Sequence, residues 1–96
     1  MDESLAFTVR KGTLDDVPFV FNLIMELALY EKAPQEVTVT LDELVADGFG
    51  DNPIYGLFVA EQGNVIVGIA LYYEKYSTWK GRSLFLEDII VTESKR

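Results

Sequence analysis

The chain contains neither cysteine nor histidine. The first absence excludes a disulfide framework, a thiolate nucleophile and a Cys-based metal site. The second removes the commonest general base and the commonest protein metal ligand. Acid–base chemistry is left to carboxylates, tyrosine or water, and no metal is expected. Positive charge is also scarce: eight Lys and Arg stand against sixteen Asp and Glu, a formal net charge of −8. Nucleic acid, which is bound by clustered Lys and Arg that displace counterions, is disfavoured as a partner. So is an anionic membrane surface. A cationic small molecule such as an amine suits this balance. Long apolar runs are missing as well. The longest, Val65 to Tyr73, falls far short of a membrane span, and the opening MDESLAFTVR lacks a signal peptide's basic start. The expected location is the cytoplasm.

What is present is enough for one domain. Of 96 residues, 49% are hydrophobic and 25% charged, an ordinary globular balance. A chain this short buries roughly 60–65% of its unfolded surface on folding.

Leu5 to Val9 alternates between apolar and small or polar residues and reads as a first strand, broken by Lys11-Gly12. Thr13-Leu-Asp-Asp16 resembles a capping box with Asp in place of Glu. Pro18 is tolerated only in a helix's first turn, which allows Asp15 as the true cap. Val17, Val20, Phe21, Ile24, Leu27 and Ala28 then recur at helical spacing to about Tyr30, and Lys32-Ala-Pro34 ends the run. Thr40-Leu-Asp-Glu43 is a cleaner capping box and opens a short helix to about Ala46, stopped by Gly48.

After the turn-rich segment Asp47–Pro53, Tyr55 to Glu61 reads as a strand, and Gln62-Gly63-Asn64 is hairpin chemistry. Val65 to Tyr73 is apolar on both faces, as a central buried strand would be. The loop Tyr76-Ser-Thr-Trp-Lys-Gly81 leads to a last strand, Ser83 to Val91. The order is β-α-α-β-β-β, an α/β (α+β) arrangement with the last three strands antiparallel and consecutive. No repeat, linker or low-complexity tract interrupts it.

Leu84-Phe-Leu-Glu-Asp-Ile-Ile-Val91 carries the strongest chemical signal. Glu87 and Asp88 interrupt a strand otherwise fit for a core. Neighbours on a strand point to opposite faces, so at least one acid is expected to meet the interior or a cleft. A buried carboxylate is costly without a partner or a task. The competing account is an edge strand with one acid in water and the other tied to Lys80 or Arg82.

Six segments in register carry a family likeness: the first strand with Arg10, Glu26-Leu-Ala-Leu-Tyr-Glu31, Asp47-Gly-Phe-Gly-Asp-Asn-Pro53, Val67-Gly68-Ile-Ala70, the Trp79 loop, and Leu86–Val91. In that order they resemble the spermidine/spermine (diamine) acetyltransferase branch of the GNAT superfamily of N-acetyltransferases. Ser77-Thr78 before Trp79 departs from the acid-then-proline of polyamine-specific members and resembles the sister group acting on thialysine and lysine-like amines.

That resemblance implies acetyl transfer from acetyl-CoA to a small primary amine by direct attack in a ternary complex. It implies that the backbone of Ile89, Ile90 and Val91 pairs with the pantetheine arm as an added strand would. Glu87 matches the residue that helps deprotonate the acceptor amine, with Asp88 beside it adding negative potential. Tyr30, Glu31 and Trp79 match acceptor-site positions, and Glu87 is expected to be partly buried in one cleft with them. Arg96 matches the first residue of the glycine-rich loop that cradles the pyrophosphate. The expected unit is the N-terminal half of one GNAT domain, residues 1–96, inactive alone and paired as a homodimer. The alternative is a non-catalytic half-domain that binds or self-associates through its last strand.

Overall fold

The computed structural model describes residues 7–95. Along this span β1 is Thr8–Lys11, α1 Val17–Tyr30, α2 Leu41–Phe49, β2 Gly56–Gln62, β3 Val65–Ser77 and β4 Gly81–Val91. Leu5 and Ala6, expected to begin the first strand, lie outside the described residues.

The start of α1 is built in two steps. Thr13 heads a 3-10 turn, Leu14–Asp16, and Asp16 is the cap of the helix itself, not Asp15. The Asp16 carboxylate accepts the Thr13 N–H at 2.7 Å and the Thr13 hydroxyl at 3.1 Å. Pro18 falls in the first turn, where its missing N–H costs nothing. The other end closes with Lys32 in the left-handed region (φ 60°). Its N–H donates to the Leu29 carbonyl and that of Ala33 to Ala28, a Schellman closure.

The capping box predicted at Thr40 is present: Glu43 N–H donates to the Thr40 hydroxyl at 3.1 Å, and Thr40 N–H to the Glu43 carboxylate at 2.9 Å. Gly48 does not end α2, which runs on to Phe49 with Gly50 as its cap.

The four strands form one antiparallel sheet in the order β1-β2-β3-β4. Gly63 and Asn64, both at positive φ, make the two-residue turn between β2 and β3. Such turns match the twist of paired strands. β3 and β4 are longer than their sequence patterns suggest. The loop expected at 76–81 shrinks to a tight turn, with pairing continued out to Ser77 and Gly81. Gly81, at φ 81°, supplies the left-handed backbone that this turn needs.

The core lies on one face of the sheet. Val20 and Leu23 of α1 pack on Leu57, Val59, Ile69 and Ile90, with Ile24, Leu27, Phe49 and Tyr55 around them. β3 is central in order, as expected, but only one of its faces is covered by helices. Val9, Phe58 and Ile89 remain exposed on the sheet.

Candidate functional site

The two strand acids sit at a register shift. Asp88 pairs with Leu71, whereas Leu86 pairs with Tyr72, so Glu87 is the extra residue of a bulge in β4. A bulge bends its strand and turns the local side chains away from simple alternation. Directly opposed residues share a face. Asp88 therefore lies on the helix side with Leu71, and Ile90 with the buried Ile69.

Both acids are exposed, Glu87 included. The expectation that Glu87 is partly buried is thereby corrected; Asp88 does turn to the helix side, but it stays exposed there. The bulge takes Glu87 out of the ladder, and β4 is an edge strand with no cover over this stretch among the described residues. Nor does Arg82 neutralise either acid, since its ion pair is with Glu74 at 3.7 Å.

Ile89, Ile90 and Val91 follow the bulge. Thr92 N–H donates to the Val67 carbonyl at 2.8 Å, carrying the ladder one residue past β4. Backbone groups in an antiparallel pair turn alternately toward and away from the neighbour. Ile90 thus faces β3, while the N–H and C=O of Ile89 face the outer edge. The Ile90 side chain is 3% exposed and fixes this segment to the core. On the open sheet face, Ile89 and Val91 border a shallow groove of about 180 Å³ with Phe58, Gly68 and Ala70.

Tyr30 and Glu31 stand at the C-terminal end of α1, both exposed. Trp79 stands in the β3–β4 turn and is 92% exposed. Glu87 lies six residues beyond Gly81, roughly 20 Å along β4. The chain by itself does not bring Trp79 to Glu87. Arg96, the expected pyrophosphate contact, lies outside the described residues.

Two features escaped the sequence reading. A cleft of about 650 Å³ opens between the segment after α2 and the β3–β4 arm. Phe49, Tyr55, Tyr72, Tyr73 and Glu74 line part of it, and none of the sequence-predicted site residues does. The second is Glu26, whose carboxylate accepts hydrogen bonds from Thr92 and Glu93, 66 and 67 residues onward. Its only signal in the sequence is an acid three residues after the inward-facing Leu23.

No protein-family model matches the chain. Over 96 residues it is 44% identical to the thialysine N-epsilon-acetyltransferase of Bos taurus, covering 92% of this chain and 56% of that protein. It is 38% identical over 95 residues to spermidine/spermine N(1)-acetyltransferase-like protein 1 of Homo sapiens, covering 92% of this chain and 14% of that protein.

Among solved structures, a possible acetyltransferase from Clostridium difficile superposes with a TM-score of 0.72 at 18% identity, covering 94% of this chain and 60% of that one. A predicted acetyltransferase from Clostridium acetobutylicum, solved with acetyl-CoA, superposes with a TM-score of 0.68 at 16% identity, covering 95% and 63%. Over this span the chain is similar in sequence to named N-acetyltransferases and in fold to solved acetyltransferases. Its four-stranded antiparallel sheet and two helices match a GNAT half-domain. The chain spans about half the length of the thialysine acetyltransferases that it matches.

Proposed function

We propose that the protein built on this chain transfers an acetyl group from acetyl-CoA to a primary amine of a small polyamine or lysine-like substrate. The observation that carries the reading is the bulge at Glu87, which sets a carboxylate out of the ladder beside the outward-facing backbone of Ile89. In this reading Ile89, Ile90 and Val91 hold the pantetheine arm along the edge of β4, and Arg96 begins the contact with the pyrophosphate. An alkylammonium must lose a proton before it can attack a thioester. Glu87 takes that proton, directly or through water, and Asp88 adds negative potential. Tyr30 and Glu31 receive the amine; Trp79, about 20 Å along β4 from Glu87, does not reach it within one chain. Ser77-Thr78 and the 44% identity to a thialysine acetyltransferase favour thialysine-like amines over spermidine.

A homodimer belongs to the same reading, because the open sheet face leaves Val9, Phe58 and Ile89 exposed. Residues 1–96 are the N-terminal half of the catalytic domain in this account and show no turnover on their own.

The test is thiol release from acetyl-CoA by the whole protein carrying these residues, with thialysine, lysine, putrescine and spermidine as acceptors. Turnover fastest with thialysine or lysine is the expected result. No amine-dependent release with any of the four would sink the proposal.

A further inference from the structure

Glu26 sits in the second half of α1, one turn before Tyr30, and its side chain works at a distance in sequence. Its Oε1 accepts the Thr92 hydroxyl at 2.9 Å. Its Oε2 accepts the same hydroxyl at 3.2 Å and the backbone N–H of Glu93 at 2.7 Å. Glu93 opens a 3-10 turn, Glu93–Lys95, closed by a bond from Lys95 N–H to the Thr92 carbonyl. The first N–H groups of such a turn have no acceptor within it. Glu26 supplies one from another element.

We propose that Glu26 is a positioning residue for the acetyl donor, fixing the exit of β4 and through it the backbone edge at Ile89–Val91. The inference rests on the reading of that edge as the donor's seat. Three fastenings define the segment. The bulge at Glu87 interrupts the ladder upstream. Ile90 is anchored in the core. Downstream, the Glu26 carboxylate ties Thr92 and Glu93 to α1. Without that tie it falls to the Thr92–Val67 bond to hold the direction of the chain beyond Val91.

A carboxylate suits the task because it accepts from two donors at once, and charge-assisted bonds are shorter and stronger than neutral ones. A glutamine has a single accepting oxygen and keeps part of the arrangement. An acid acting only through its charge would repel an anionic donor, so its removal would then tighten binding. A positioning role gives the opposite sign.

The test uses the whole protein with Glu26→Ala, Glu26→Gln and Thr92→Val. For Glu26→Ala the KM for acetyl-CoA should rise roughly tenfold, the scale of losing one charge-assisted hydrogen bond. The kcat at saturating donor and the KM for the amine should stay near those of the unsubstituted protein. Glu26→Gln should recover part of the loss, and Thr92→Val should shift the donor KM the same way by less. Amide exchange gives a readout apart from activity: Glu93 N–H should lose protection in Glu26→Ala while Ile69 and Ile90 keep theirs. An unchanged or lowered donor KM, or unaltered exchange at Glu93, overturns the inference. Failure of the unsubstituted protein to transfer acetyl strikes the donor reading instead.

Discussion

Arg10 grips Asp16 with two bonds at once, Nη1 to Oδ2 at 2.8 Å and Nη2 to Oδ1 at 3.0 Å. The same guanidinium reaches Glu61 from Nε at 3.0 Å. One side chain on β1 thereby joins the entry to α1 and the far end of β2. Asp16 is only 5% exposed, so the pair is sheltered from the solvent screening that makes most surface ion pairs nearly worthless.

Acid should weaken the fold through this pair. The hydrogen bonds from Arg10, helped by those from Thr13, hold the Asp16 carboxyl down at about 2, against an ordinary 3.8. Glu61 is lowered by the same guanidinium. Depressed values mean that the unfolded chain takes up protons first. The stabilisation is complete above about pH 4 and is lost as the pH falls toward 2. For Asp16 it amounts to about 2 kcal/mol at neutral pH. Urea midpoints between pH 7 and pH 2 should fall accordingly. In Asp16→Asn the stability at neutral pH should already be lower, by about 2–4 kcal/mol, and the acid dependence flatter.

Tyr55 hangs α2 on the sheet, its hydroxyl donating to the Leu44 carbonyl at 2.6 Å. Tyr55→Phe should cost about 1 kcal/mol in a denaturant titration. Burial, with a smaller push from Asp47, raises the Tyr55 hydroxyl above its ordinary 10.0. Its proton is thus held more tightly in the folded chain, and that contribution to stability fades as the pH rises beyond 10. An ultraviolet titration should show a tyrosine component ionising above pH 10.0, and Tyr55→Phe should remove that component.

Gly56 lies under the ring of Tyr72, where an added methyl would collide with the ring's outer atoms. Tyr72 stacks on Phe58 with centroids 5.6 Å apart. In Gly56→Ala the ring must swing away, because the outer end of a side chain yields more readily than backbone. A loss of about 1–2 kcal/mol is expected, with an altered near-ultraviolet circular dichroism signal. An unchanged signal would mean that the strands, not the ring, absorb the methyl.

Glu87→Gln tests the proposed proton acceptor in the whole protein. It should lower kcat/KM for amine acetylation by roughly 10²-fold, the usual scale for a general base. Stability should barely change, since Glu87 is exposed and outside the ladder. An unaltered rate from pH 7 to 9 would remove Glu87 from the chemistry.

Local chemistry made much of this fold readable in advance. Thr40 with Glu43, the Lys32 stop and the Gly63-Asn64 turn are settled by residues within a few positions of one another. What was hidden depends on partners far along the chain. Gly48 stays helical although its type suggests a stop, while Tyr55 fastens Leu44 from eleven residues away. The pairing of β3 and β4 past Tyr73 runs through Glu74, Lys75 and Tyr76, whose polar character hides a strand until Leu84, Ser83 and Arg82 stand opposite. The acids at 87 and 88 stand out in the sequence as a candidate site, but their geometry does not. Alternation counts residues on one strand, whereas a bulge is a mismatch between two.

That mismatch also divides β4 into two reading frames. From Gly81 to Leu86 paired positions follow one parity against β3, and from Asp88 to Val91 they follow the other. Deleting any one residue between Phe85 and Asp88 would restore a continuous count. Pairing on both sides of the deletion would survive, with Ile90 still opposite Ile69, and what would vanish is the bend that the bulge gives β4 beside Ile89. The extra residue thus serves the course of the strand, not its pairing.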